Sequence, residues 1–248
     1  MKNVGFFSLT CCEGCQTTIL DMDDQLMDML GKVNVKSFRW LKEFNDEGPF
    51  DIVFVEGAVS TPEEVELVKK LREKSKILVA LGDCAAFGGV PAIRDFMDQE
   101  DVRREVYGDY TYLESIEATA IGEHVKVDYM LRGCPIDKSE FLSYFNALVN
   151  DERPVEKRYA VCLECKRNGN KCLLKDGIPC IGPITLAGCN SACPNVGVPC
   201  FGCRGPTPNA SLIAVKSMFE TNGVDFEGIK DIKERIIEFM GRAKFVRE

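Results

Sequence analysis

Eight of the 13 cysteines in this 248-residue chain fall within one 42-residue stretch, at Cys162, Cys165, Cys172, Cys180, Cys189, Cys193, Cys200 and Cys203. That density constrains the fold more than any other feature, because the stretch has few helix or strand periods of useful length. Its loops carry Asn168-Gly169-Asn170, Asp176-Gly177, Gly182-Pro183, Gly188 and Asn195-Val196-Gly197, all of which bend the chain. Bound metal is the natural source of the missing folding free energy. The pairs Cys162/Cys165 and Cys200/Cys203 have two residues between them, a spacing that puts two thiolates on one edge of a metal or cluster. Glycine nearby lets bare backbone N–H groups approach cluster sulfurs, where hydrogen bonding tunes the potential.

Three chemistries compete for these thiols: disulfides, tetrathiolate zinc and iron–sulfur clusters. Disulfides fit poorly. The apolar residues 4–9 are too few for a signal-peptide core and lack a small-residue cleavage site, and an odd cysteine total in a long acidic chain argues against a disulfide framework. Lys+Arg number 31 against 39 Asp+Glu, a net charge of −8 with no basic block, so nucleic acid is not an expected partner. No apolar run approaches the roughly 20 residues of a bilayer span, and a cytoplasmic chain with no direct membrane span is expected. The single histidine, His124, removes the two-histidine zinc motifs and reads as a surface or cap residue.

Residues 2–9 read as a buried strand running straight into Thr10-Cys11-Cys12-Glu13-Gly14-Cys15, followed by helical spacing of Ile19, Met22, Leu26, Met27 and Leu30, with the methionines as helix core. Val33, Val35 and Phe38 suggest a second strand, and residues 51–55 a strand covered on both faces. Thr61 with Glu64, and Pro62 at the first helical position, predict a helix start. Residues 76–81 form the next strand and deliver Gly82-Asp83-Cys84. Residues 91–123 read as an excursion with short helices. Val125, Val127, Tyr129 and Leu131 alternate as a strand, then come Gly133-Cys134-Pro135 and a helix capped by Asp137 with Glu140. Beyond a boundary near residues 150–154 lies the cysteine-rich part, then helices over 211–219 and 229–240. Alternating strands and helices predict an α/β fold with a mostly parallel sheet.

In such a sheet the loops after the strands gather at one edge, where doubly wound folds place ligands. Cys12 and Cys15, Cys84 and Cys134 each follow a strand, so residues over a hundred positions apart can converge there. A flavodoxin-like fold could instead hold a flavin phosphate, but the first loop is rich in cysteine rather than serine and threonine. Four cysteines here plus eight later make twelve, enough for three four-thiolate clusters, with Cys11 left over as a small buried side chain. Three separate structural zincs would be unusual in a chain this short.

These pieces resemble the small subunit of nickel–iron hydrogenases, particularly the cytoplasmic kind of sulfhydrogenases and NAD(P)-linked or bifurcating complexes. The resemblance rests on Cys12-Glu-Gly-Cys15, Gly82-Asp-Cys84-Ala-Ala-Phe-Gly-Gly89, Gly133-Cys134-Pro135, Cys162-Leu-Glu-Cys165, Pro179-Cys180-Ile-Gly-Pro183-Ile-Thr185 and Cys200-Phe-Gly-Cys203-Arg-Gly-Pro206. It implies a flavodoxin-like doubly wound domain over 1–150 carrying the proximal cluster. A smaller irregular iron–sulfur domain over 151–248 would follow, with C-terminal helices. It implies three 4Fe-4S clusters: proximal on Cys12, Cys15, Cys84 and Cys134; distal on Cys162, Cys165, Cys172 and Cys180; medial on Cys189, Cys193, Cys200 and Cys203. Cys162 stands where many respiratory relatives have histidine, and Cys193 where many have proline beside a 3Fe-4S cluster. All-thiolate ligation implies low potentials. Asp83 and Ile136 replace residues that are small and proline in much of the family.

The chain has no paired cysteine motif for nickel, so no catalytic residue is expected on it. The resemblance implies electron transfer between the nickel–iron site of a large-subunit partner and a further iron–sulfur or flavin redox subunit handling NAD(P), ferredoxin or similar. Two alternatives are a cluster-carrying subunit of a complex I-related oxidoreductase, whose single-cluster form lacks the second cysteine-rich part, and a zinc-stabilised interaction module. Glu13 reads as a solvated loop carboxylate.

Overall fold

Residues 50–56 send alternate side chains into two apolar layers: Ile52 and Phe54 join one, Val53 and Val55 the other. A strand buried on both faces belongs in the middle of a helix-covered parallel sheet, and the computed structural model places it there. The structure describes residues 1–109 and 114–224. The helix expected over 229–240 lies outside them. The chain divides into unit 1, Met1–Pro154, and unit 2, Val155–Glu248.

Unit 1 holds β1 (Lys2–Ser8), β2 (Val33–Phe38), β3 (Phe50–Glu56), β4 (Ser75–Leu81) and β5 (Tyr129–Leu131), all parallel, in the order β2-β1-β3-β4-β5. This is the flavodoxin-type order, and the direction of winding reverses between β1 and β3. Its helices are α1 (Gly14–Leu20), α2 (Asp24–Leu30), α3 (Pro62–Glu73), α4 (Gly82–Phe87), α5 (Gln99–Tyr107) and α6 (Lys138–Val149). One face packs Phe6, Phe38 and Phe54 against Ile19, Met29, Phe141, Phe145 and Leu148. Each such fully buried side chain contributes about 1.5–3 kcal/mol. The other face packs Val53, Val55, Leu78 and Ala80 against Val68 and Leu71 of α3.

Local signals set the element ends. Thr61 accepts the Glu64 N–H at 3.2 Å while the Glu64 carboxylate takes the Thr61 N–H at 3.1 Å, the capping box expected there. Asp137 accepts the Glu140 N–H at 2.9 Å at the start of α6. The expected single helix after β1 is two: Asp23 takes a positive φ of 48° and breaks it, leaving Met22 and Met29 buried and Met27 exposed. The last strand is also shorter than its alternation predicts. Only residues 129–131 pair with β4, while Val125 and Val127 pack on the second apolar face without joining the ladder.

The described residues of unit 2 have little regular structure: α7 (Val161–Arg167), a 3-10 turn over Leu173–Asp176, α8 (Ala192–Asn195) and α9 (Leu212–Thr221), which Ser211 caps through the Ala214 N–H. Val161, Ile181, Ile184 and Ala187 are buried among the loops. Among the described residues no helix is long and apolar enough to cross a membrane.

Candidate metal centre

Strand register fixes the first site. Ser8 pairs with Glu56, Glu56 with Leu81, and Leu81 with Leu131, so four strands end in one row across the sheet. The chain leaving that row carries Cys12 and Cys15 after β1, Cys84 on the first turn of α4, and Cys134 after β5. The loops are stitched together: the Asp83 N–H donates to the Gly133 carbonyl at 2.8 Å, and the chain at Gly14 runs beside both Cys12 Sγ and Pro135.

Two glycines make room at this edge. Gly82 has φ +86°, and a Cβ there would sit 2.4 Å from Cys15 Sγ; Gly89 has φ +50°, and a Cβ there would meet Cys84 at 2.7–2.9 Å. Only glycine fits either place without strain.

The thiols feel one another. Burial raises Cys15, Cys84 and Cys134, with Cys84 and Cys134 pushed up to about 12 and about 11; nearby carboxylates add to this, and so does mutual repulsion of Cys84 with Cys15 and Cys134, and of Cys134 with Cys12. Cys11 joins this group instead of lying fully buried. It is half-buried, it repels Cys84, and burial with the Glu56 charge lifts it to about 12. A metal reverses this preference, because it binds the thiolate and releases the proton.

Sequence reasoning missed Glu56, which is 2 % exposed at the end of β3. Its carboxylate accepts the N–H groups of Cys15 at 3.0 Å and Gln16 at 2.9 Å, so it supplies the acceptor that the unpaired first turn of α1 needs. Burial raises its carboxyl, opposed by those two N–H groups. An acidic residue directly after the apolar run of residues 52–55 was the available signal. Glu13 is pinned rather than solvated: it accepts from Ser8 Oγ at 2.6 Å and pairs with Arg39 at 2.6 Å. Asp83 is 1 % exposed, and its carboxylate oxygens have no hydrogen-bond partner among the described residues.

Unit 2 gathers the other eight. Burial lifts Cys162 to about 12, followed by the thiols of Cys180, Cys165 and Cys172, with Lys166 opposing. Those four therefore lie together. Cys193 is raised by burial, then by Cys189 and Cys180; Cys200 by burial, with Cys180 and Cys203 adding. Cys180 thus stands between the two groups, and the Cys200 N–H donates to its sulfur at 3.3 Å. Gly182 lies against Cys180 and Cys162, where a Cβ would be 3.5–3.6 Å from either sulfur.

A second buried carboxylate repeats the Glu56 arrangement. Glu164, within the Cys162-Leu-Glu-Cys165 motif, accepts the N–H groups of Gly188 at 3.0 Å and Ser191 at 3.1 Å, on either side of Cys189. Arg204, 2 % exposed and next to Cys203, donates to the Ala187 carbonyl at 3.0 Å. Among the described residues no three His, Cys, Asp or Glu side chains form a group that would hold a single metal ion. The donor set is thiol-rich, flanked by close backbone and by N–H groups near sulfur, which suits iron–sulfur cores.

Comparison with known proteins agrees with this architecture. Residues 12–148 match the family model of the NADH ubiquinone oxidoreductase, 20 Kd subunit. The chain is 36% identical over 219 residues to the sulfhydrogenase 2 subunit delta of Pyrococcus furiosus, covering 88% of this chain and 90% of that one. It is 33% identical over 236 residues to a subunit of the F420-non-reducing hydrogenase of Methanocaldococcus jannaschii, covering 82% of each. Among solved structures, a chain of an NAD+-reducing [NiFe]-hydrogenase in the H2-reduced state superposes with a TM-score of 0.57 at 28% identity, covering 62% of this chain and 94% of that one. The [NiFeSe] hydrogenase of Desulfovibrio vulgaris Hildenborough shares the fold at a TM-score of 0.54 and 17% identity, covering 84% of this chain and 94% of that one. The family match over more than half the chain and the delta-subunit relative together place this chain in the NADH ubiquinone oxidoreductase 20 Kd subunit family, in the branch of the nickel–iron hydrogenase small subunits.

Proposed function

We propose that this chain is the electron-transfer subunit of a cytoplasmic nickel–iron hydrogenase, relaying electrons between the nickel–iron site of a partner large subunit and a further redox subunit. The observation that carries the reading is the row of strand ends that brings Cys12, Cys15, Cys84 and Cys134 to one sheet edge. Relatives named as hydrogenase subunits that span most of the chain support it. Bound 4Fe-4S clusters would supply one-electron carriers with potentials set by charge, hydrogen bonding and burial. Cys12, Cys15, Cys84 and Cys134 would hold one; Cys162, Cys165, Cys172 and Cys180 a second; Cys189, Cys193, Cys200 and Cys203 a third.

The chain's own residues hold and tune. Glu56 fixes the backbone at Cys15, Glu164 fixes the backbone around Cys189, and the Cys200 N–H stabilises negative charge on Cys180 sulfur. The complex I-related reading is supported by the family match over residues 12–148, but relatives extend the likeness through the cysteine-rich part, which favours the hydrogenase reading. Iron, sulfide and zinc content of the anaerobically purified complex tests the proposal. About twelve irons and twelve sulfides per copy of this chain, after partner clusters are subtracted, are expected. About four irons with two zincs would make unit 2 a structural domain and end the three-cluster reading.

A further inference from the structure

The net charge of −8 hides an uneven distribution. Unit 1 carries 17 basic and 29 acidic residues, a net −12, whereas unit 2 carries 14 basic and 10 acidic, a net +4. The excess in unit 2 is concentrated before and among its first four cysteines: residues 155–175 hold six Lys or Arg against Glu156 and Glu164. Glu164 is buried and turned to backbone N–H groups, so it offers no charge to a partner. Lys166, Arg167, Lys171 and Lys175 are exposed on α7, the 3-10 turn after it and the link between them; Asp176 offsets one of these charges by pairing with Lys171 at 2.7 Å.

At this same place the cysteine set reaches the surface. Cys172 is exposed, and Leu163 and Ile178, 40 % and 38 % exposed, add apolar surface on the same short segment. An apolar spot with a rim of net positive charge, next to an electron carrier's ligand, suits brief and oriented encounters. The rim steers the approach, and the apolar part gives contact without a large desolvation cost. A rim of positive charge on an otherwise acidic chain selects a partner of opposite sign and repels basic redox proteins.

We propose that the face formed by Leu163, Lys166, Arg167, Lys171, Cys172 and Lys175 docks an electron-transfer protein or subunit whose own redox centre is ringed by carboxylates. This rests on the reading that Cys162, Cys165, Cys172 and Cys180 hold a cluster.

The test uses the complex containing this chain, washed at about 1 M salt, where the screening length falls to about 3 Å and charge-held partners are released. The dithionite-reduced complex is mixed by stopped flow with an acidic plant-type [2Fe–2S] ferredoxin and, separately, with a basic cytochrome c. Wild type is compared with the double variant Arg167→Glu, Lys175→Glu. Iron, sulfide and the visible spectrum of both are measured first. Ferredoxin reduction should slow as salt rises, and the double variant should be about tenfold slower at low salt while reducing cytochrome c faster. Intact clusters with a ferredoxin rate indifferent to salt and to the double variant would overturn the docking face and leave the cluster reading standing. Absence of iron and sulfide from unit 2 would overturn both.

Discussion

The Ser191 N–H donates to Oε2 of Glu164 at 3.1 Å, and this bond ties the helix bearing Cys162 and Cys165 to the turn bearing Cys189. A residue inside one cysteine motif thereby holds the backbone of the other. Ser191 and Asn190 both take positive φ values, 52° and 50°, so the turn depends on outside support. Glu164→Ala should orphan the buried N–H groups of Gly188 and Ser191, costing about 1–3 kcal/mol. The loss should fall on the cluster of Cys189, Cys193, Cys200 and Cys203, with about four irons gone per chain. Glu164→Gln keeps one acceptor oxygen and should retain most of that iron. Iron content and low-temperature EPR of the reduced complex check both outcomes.

Glu56 plays the matching part in unit 1. Glu56→Ala removes the acceptor for the Cys15 and Gln16 N–H groups at the start of a helix of only seven residues. A stability loss of about 1–3 kcal/mol is expected, together with loss of the Cys12/Cys15/Cys84/Cys134 cluster signal while the unit 2 signals persist. Thermal unfolding and EPR on the same samples separate the two effects.

Gly82→Ala tests the close approach directly. Its Cβ would sit 2.4 Å from Cys15 Sγ, at a φ of +86° that costs a side chain about 1–2 kcal/mol. The variant should fold with native circular dichroism and lack the unit 1 cluster. Gly169→Ala, also at positive φ but with nothing within 4 Å of its Cβ position, should carry the backbone cost alone and keep every cluster.

Acid should weaken the tie between α3 and β4 that Asp128 makes. Burial alone would raise its carboxyl, but the Arg72 guanidinium and the Leu78 N–H, which donates at 2.9 Å, outweigh it and hold it below the usual carboxylate range. Because the folded value is the lower one, the stabilisation is present above pH about 4 and fades as pH falls toward the folded value. Asp128→Asn should lower the melting temperature at pH 7 and flatten its fall between about pH 4 and pH 2, measured by thermal unfolding across that range.

Much of this was legible in the sequence, for identifiable reasons. Residues 52–55 are apolar without alternation, and Thr61, Pro62 and Glu64 occupy fixed capping positions, so the central strand and α3 could be read directly. The parallel sheet followed from the alternation of strands and helices, and its flavodoxin-like arrangement from the resemblance to the hydrogenase small subunits. What escaped was set by tertiary contacts. Val125 and Val127 alternate like a strand, yet they pack under the sheet outside its ladder. Met27 keeps helical spacing, but the break at Asp23 turns it to solvent. Glu56 and Glu164 look like ordinary carboxylates until the fold aims pairs of backbone N–H groups at them.

The row formed by Ser8, Glu56, Leu81 and Leu131 also bears on how such a chain can change over time. The loops of Cys12, Cys15, Cys84 and Cys134 all start from that line, so adding or deleting one residue within a strand would shift a single thiol out of place. Crossover segments are under no such restraint. The long excursion between β4 and β5 shows the permitted form of growth: the described residues 90–109 and 114–128 lie outside the sheet's ladder, and the two cysteines that bracket the excursion still meet at the same edge.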